Sequence, residues 1–281
     1  MATVAASDGV QLYAEAHGSG LPLLLSCALC TTGENYRPQV EPLVAAGARV
    51  ILWDYRGHGR SAVPADPGAY SMEQVVDDLG RVLDWAAPDL PAVLGGLSFG
   101  GLASLHFALA RPERVCALLL IDSGPGFKNP EAQARWEASI ERTASFVERK
   151  GMQAFVESGA AATAIGLRPE LPAAAAAARS IAAQDPAGIA RFARRVAGPA
   201  PSVIDRLGEI DVPALVVVGE LDRPYHRAAE VMAARLPRAE HVTIPAAGHM
   251  VNIEQAEAFN RVAGEFLGRI ADPGGPRPPK R

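Results

Sequence analysis

The chain has 281 residues, 49% of them apolar, a formal net charge of −4 and three cysteines. That length supports a large core in one domain or in a domain carrying an insertion, and the charge leaves no basic footprint for nucleic acid or an anionic membrane. Cys27, Cys30 and Cys116 have neither a second Cys-x-x-Cys nor the neighbouring histidines of a zinc site, so no metal is expected. A redox pair at Cys27 and Cys30 is disfavoured, because such pairs open a helix rather than follow a strand. No run reaches about 18 apolar residues, and no basic segment precedes a long apolar one, so a reducing cytoplasm is the expected compartment.

Val4 to Ala6 and Val10 to Ala16 flank Asp8-Gly9, which predicts a hairpin. Leu23 to Leu25 and Val50 to Trp53 read as strands covered on both faces, with Pro22 at the start of the first. Between them Val40, Leu43 and Val44 mark a short helix. Ser71 opens a longer one, with Gln74 at the capping-box position and Met72, Val75, Val76, Leu79, Val82 and Leu83 as a single apolar stripe. Val93 to Leu94 and Cys116 to Ile121 give further strands, separated by a helix carrying Leu102, Leu105 and Leu109. Ala214 to Val218 and His241 to Ile244 supply two more, and Ile253, Phe259, Val262 and Phe266 trace one last helix. Such alternation predicts an α/β domain with a mostly parallel sheet and helices on both faces.

Residues 127–207 interrupt this pattern. They hold alanine tracts at Ala160 to Ala162 and Ala173 to Ala178 and a helical spacing at Ile189, Phe192 and Val196, which predicts a helical insertion. Its place after a parallel strand is where such sheets bind ligands, so it is expected to form a cap. The domain reading is a core of residues 1–126 and 208–270, a cap at 127–207 and a flexible, proline-rich tail at 271–281.

Ser98 lies in Gly96-Leu97-Ser98-Phe99-Gly100, behind the apolar run Ala92 to Leu94 and ahead of a helix. A serine on a sharp strand-to-helix turn presents its hydroxyl outward, with glycines allowing close backbone approach. Asp222 follows the strand ending in Gly219-Glu220-Leu221, and His249 sits in Ala247-Gly248-His249-Met250 before the last helix. The order serine, acid, histidine is that of a hydrolytic triad on this scaffold. Imidazole accepts the hydroxyl proton near neutral pH, while the carboxylate fixes its tautomer. Asp122, after Leu118 to Ile121, and then Glu220 are the alternatives for the acid. Ser98 as a plain turn residue and His249 as a packing histidine explain less, because neither accounts for that order. His17, His106, His226 and His241 show no ligand spacing, and His58 falls in a glycine-rich turn. Gly57-x-Gly59-x-x-Ala62 imitates a dinucleotide fingerprint, but Pro64 and Pro67 interrupt the helix it would need.

With Asp54-Tyr55-Arg56-Gly57-His58-Gly59-Arg60-Ser61 added, the chain from about Val4 to Leu267 resembles the α/β-hydrolase superfamily of serine hydrolases. The resemblance implies an eight-stranded, mostly parallel sheet flanked by helices, a helical cap, a covalent acyl-enzyme and no cofactor. By the same resemblance Ser98 is the nucleophile, His249 the general base and then acid, and Asp222 its orienting carboxylate. The oxyanion donors would be the backbone N–H groups of Phe99 and Ala28, or of Leu29 if the loop is one residue longer. The sequence departs from the family at Ser26-Cys27, where members usually carry His-Gly. Phe127, Trp136, Phe146, Phe155 and Phe192 suggest an apolar pocket. The expected activity is hydrolysis of small or medium carboxylic esters, a small-molecule substrate with no nucleic acid or membrane partner. The alternatives are a lactonase or carbon–carbon bond hydrolase using the same three residues, and a non-catalytic ligand-binding module.

Overall fold

Consecutive aliphatic residues suit strands buried on both faces, and in the computed structural model, which describes residues 1–272, such runs make the inner strands of one eight-stranded sheet whose outer strands are more polar and partly exposed. The strands are β1 (Ala2–Ala5), β2 (Gln11–His17), β3 (Leu21–Ser26), β4 (Ala48–Trp53), β5 (Ala92–Leu97), β6 (Val115–Ile121), β7 (Ala214–Gly219) and β8 (Ala239–Ile244). Their spatial order is β1-β2-β4-β3-β5-β6-β7-β8. β1 runs antiparallel to β2 and β2 to β4, whereas every other pair is parallel. The expected hairpin at Asp8-Gly9 is present, with Ala5 opposite Gln11. β5 therefore lies inside the sheet, and its carboxyl end is flanked by those of β3 and β6.

The helices are α1 (Arg37–Ala45), α2 (Met72–Ala86), α3 (Phe99–Ala110), α4 (Pro130–Val156), α5 (Ala162–Ile165), α6 (Pro172–Ala182), α7 (Pro186–Phe192), α8 (Arg223–Arg235), α9 (Val251–Glu254) and α10 (Ala256–Ala271). Ser71 caps α2 as expected, its hydroxyl accepting from the Gln74 N–H, but the Gln74 amide reaches Asp8 instead of closing the capping box. The single last helix expected from the sequence is two, α9 and α10, because Gln255 takes non-helical angles of φ −133° and ψ 51°. The tail expectation falls largely on 273–281, outside the described residues, and Ala271 itself ends α10.

Between β6 and β7 the chain passes through α4 to α7 without a strand, and α4 bends at Gly151. This segment folds back onto the loops that follow β3 and β4. The Gln184 side chain donates to the Cys30 carbonyl (2.7 Å) and accepts from the Gly59 N–H (2.9 Å). Asn35 donates to the Ala164 carbonyl (2.9 Å), and Thr32 and Ser180 share a hydroxyl bond (2.6 Å).

The loop after β4 is braced by ions. The Arg56 guanidinium, 1% exposed, forms two bonds to Asp78 and reaches Asp8, each at 2.7 Å, and also donates to the Ala69 carbonyl at 2.6 Å. Removing one member of a buried pair strands the other charge, at a cost of about 3–5 kcal/mol. Arg56→Ala is expected to lower Tm by roughly 5–10 °C, and Arg56→Lys to recover little of it, since an ammonium lacks the planar fork. Thermal denaturation of the two variants checks this; an unchanged Tm in Arg56→Ala would show the brace to be dispensable.

Candidate active site

Ser98 occupies the turn between β5 and α3 with φ 54° and ψ −116°, a left-handed backbone that side chains other than glycine rarely adopt. Its flanking glycines make the turn sterically feasible. A Cβ on Gly96 would overlap the Gly100 carbonyl, and one on Gly100 would overlap the Ser26 carbonyl. The turn is pinned from the next strand: the Ser98 N–H donates to the Ile121 carbonyl (2.8 Å) and the Ser123 hydroxyl to the Ser98 carbonyl (2.6 Å). Phe99 heads α3, where its N–H has no preceding helical carbonyl to bind.

Asp222 and His249 come together in loops after β7 and β8. Those loops are stitched by the Glu220 N–H to the Ile244 carbonyl and the Leu221 N–H to the Ala247 carbonyl. His249 Nδ1 lies 2.7 Å from Asp222 Oδ2, and both residues are buried. A carboxylate there accepts, so Nδ1 carries the proton and Nε2 is left as an acceptor. The Glu254 carboxylate fixes the backbone on either side of His249, accepting from Gly248 (2.9 Å) and Met250 (3.3 Å).

Tyr225, which no sequence motif singles out, contacts both halves of the site. Its hydroxyl is 3.3 Å from Ser98 Oγ, and its ring centroid is 4.6 Å from that of His249. Among the described residues the Ser98 hydroxyl pairs with Tyr225 and not with the imidazole. A signal was available: Pro224 opens a helix directly after Asp222, placing residue 225 on the first turn beside the acid. Glu254 belongs to no motif or spacing that marks it in the sequence.

Ser26, at the departure from the family pattern, ties β3 to its neighbours. Its hydroxyl accepts from the Trp53 indole (3.0 Å), and its carbonyl from the Tyr36 hydroxyl (3.0 Å). Tyr55 holds the Cys27 carbonyl (3.1 Å). In a trans peptide the N–H points opposite the carbonyl, so Ala28 N–H faces away from Tyr55. The Ala28 carbonyl is taken by Thr31 through its N–H (3.2 Å) and hydroxyl (2.9 Å), which turns the Leu29 N–H away from that residue. Cys27 and Cys30 are free and buried; burial pushes both thiols up, that of Cys30 to about 12. Neither has the thiolate character that a redox pair requires.

His58 is enclosed by Tyr55 and Phe192, and burial pushes its imidazole down to about 4, so it is neutral. His106 and His226 bind the carbonyls of Pro201 and Gly219, and His17 lies against Glu15. Of the insertion's aromatic residues, Phe192 stacks edge-on against Phe99 with centroids 5.2 Å apart. Trp136 instead donates to the Ala197 carbonyl and packs with Phe127, holding the insertion to itself.

The model for the alpha/beta hydrolase fold matches residues 22–256. The chain belongs to the α/β-hydrolase family. Among the relatives of this α/β-hydrolase, the 2-hydroxy-6-oxononadienedioate/2-hydroxy-6-oxononatrienedioate hydrolase of Cupriavidus pinatubonensis is 31% identical, over 92% of this chain and 88% of the relative. A thermophilic esterase from Thermogutta terrifontis, with a TM-score of 0.81, is 29% identical over 96% of this chain and 98% of its own. The enol-lactonase of Burkholderia xenovorans has a TM-score of 0.80 and 26% identity, over 95% and 99%. No described helix of the present chain is long and apolar enough to cross a membrane.

The alternative acids have other partners. Glu220 accepts from the Ala246 N–H at the surface. Asp122 is fully buried, its Oδ1 accepting from Gly219 (2.7 Å), while Oδ2 has no donor among the described residues. Burial, helped by the nearby Asp222 charge, holds the Asp122 carboxyl well above the usual carboxylate range. A neutral Asp122 keeps its proton in the fold but loses it in the unfolded chain above about pH 4, so this group subtracts stability as pH rises. Asn has no such proton. The Tm of Asp122→Asn relative to the parent should therefore climb between pH 4 and pH 7, as measured by calorimetry; a difference that shrinks over that range would mean an ionised Asp122.

Proposed function

We propose that the protein is a serine hydrolase of small or medium carboxylic esters, acting through an acyl-enzyme. The observation that carries this reading is the left-handed Ser98 at the head of α3 and an imidazole whose Nδ1 is held by Asp222 at 2.7 Å, with Tyr225 in contact with both the serine hydroxyl and the imidazole ring. In the proposed cycle Ser98 Oγ attacks the ester carbonyl while His249 Nε2 takes its proton. The N–H groups of Phe99 and Ala28, with Leu29 as the alternative to the latter, bind the oxyanion. His249 then protonates the departing alcohol. Water, activated by the same imidazole, attacks the acyl carbon and releases the acid. The Asp222 carboxylate steadies the imidazolium.

Residues 127–207 are proposed as the cap, with Phe192 against Phe99 giving the seam near Ser98 an apolar character. Such a surface suits a hydrocarbon acyl or alkyl group better than a strongly anionic one. Three free cysteines fit a reducing compartment. The second reading, a lactonase or carbon–carbon bond hydrolase on the same three residues, is favoured by the names of two relatives.

A panel of aryl esters of increasing acyl length separates these readings. The parent is expected to turn over short and medium chains, and Ser98→Ala to fall to background while keeping the parent's Tm. Asp222→Asn is expected to lower kcat by about ten-thousandfold, far more than Asp122→Asn does. A silent panel with turnover of lactones or vinylogous diketone acids would transfer the assignment to the second reading. Ester turnover that survives Ser98→Ala would remove the serine mechanism altogether.

A further inference from the structure

Tyr225 touches every group of the proposed triad. Its hydroxyl meets Ser98 Oγ (3.3 Å), its ring lies on the His249 imidazole at a 34° tilt, and its N–H donates to the Asp222 carbonyl (2.9 Å). Burial pushes the phenol up to about 12, so it remains an O–H donor throughout the neutral range. Ser98 must keep its own proton for His249 Nε2, which leaves Oγ as the acceptor and Tyr225 as the donor in their pair.

That polarity has unequal effects on the two half-reactions. During acylation a donor on Oγ stabilises the charge that develops as the proton leaves, but it also makes the oxygen a weaker nucleophile, and the two effects oppose each other. During deacylation Oγ is the leaving group. Charge flows onto it as the C–O bond breaks, and a donor already in contact assists in one direction only.

Resting on the reading of Ser98 as nucleophile, we propose that Tyr225 is a further catalytic residue, whose phenol hydrogen-bonds Ser98 Oγ and assists its expulsion from the acyl-enzyme. In that step the bond from water oxygen to the acyl carbon has formed and the carbon–Oγ bond breaks. Its electron pair goes to Oγ, which takes a proton from the His249 imidazolium. Tyr225 keeps its own proton and contributes only the hydrogen bond.

Tyr225→Phe retains the ring on His249 and removes only the donor. With an activated aryl ester in stopped flow, kcat is expected to fall about tenfold or more while kcat/KM, which reports acylation, changes less than threefold. The acyl adduct should then accumulate on Ser98 and be visible by intact-protein mass spectrometry. Fluorotyrosine at position 225, a stronger donor with the same shape, is expected to raise kcat and provides the measurement if the phenylalanine variant does not fold. Parallel fall of kcat and kcat/KM, or no change in either, overturns the role of Tyr225. Labelling by a fluorophosphonate keeps this result separate from the underlying reading: a parent labelled at Ser98 with parallel losses in Tyr225→Phe rejects the tyrosine alone. An unlabelled parent, with turnover retained in Ser98→Ala, rejects both.

Discussion

Backbone meets backbone where β5 passes into α3, and the absence of side chains at Gly96 and Gly100 permits it. A left-handed Ser98 costs on the order of 1–3 kcal/mol, and the turn persists because the Ile121 carbonyl and the Ser123 hydroxyl hold both faces of its peptide groups. Since β5 sits between β3 and β6, the serine emerges with the Ala28 loop on one side and the loops carrying Asp222 and His249 on the other. The position of the strand in the sheet, more than any local sequence preference, decides which groups can converge on the hydroxyl.

Around that serine the charges are sorted by environment. Asp222 has the imidazole as its partner, whereas Asp122, one strand over and without a cation, has its carboxyl held well above the usual carboxylate range by burial. Glu254 has a third function, binding the backbone amides that flank His249. Three acids near one histidine thus differ in role because their hydrogen-bond partners differ.

Long aliphatic runs such as Leu118 to Ile121 announced buried strands because few other placements satisfy them, and the sheet was accordingly legible in the sequence. Element ends were less so. The break at Gln255 directly follows Glu254, whose carboxylate turns back to Gly248 and Met250, a contact without periodicity. Ser98, Asp222 and His249, the proposed triad, stood out through motifs tied to strand ends, whereas the contacts of Tyr225 with Ser98 and His249 depend on the rotation of α8 about its axis, which spacing alone does not give. Asp54-Tyr55-Arg56-Gly57-His58-Gly59-Arg60-Ser61, a family mark by its sequence, is in physical terms a brace: Asp54 binds Gly33 and Arg60, and Arg56 binds Asp78 and Asp8. The aromatic residues of the insertion also divide, with Phe192 at the seam and Trp136 and Phe127 stapling the insertion internally.

Beside its aromatic contacts, the seam between insertion and core includes polar ones, with Gln184 spanning from Cys30 to Gly59 and Asn35 reaching Ala164. Excising residues 127–207 would orphan the Cys30 carbonyl and the Gly59 amide and bare the aromatic faces of Tyr55 and Phe99 to water. The segment is therefore not an interchangeable module to be grafted or deleted at will: transplanting it onto another scaffold requires the loops after β3 and β4 to travel with it.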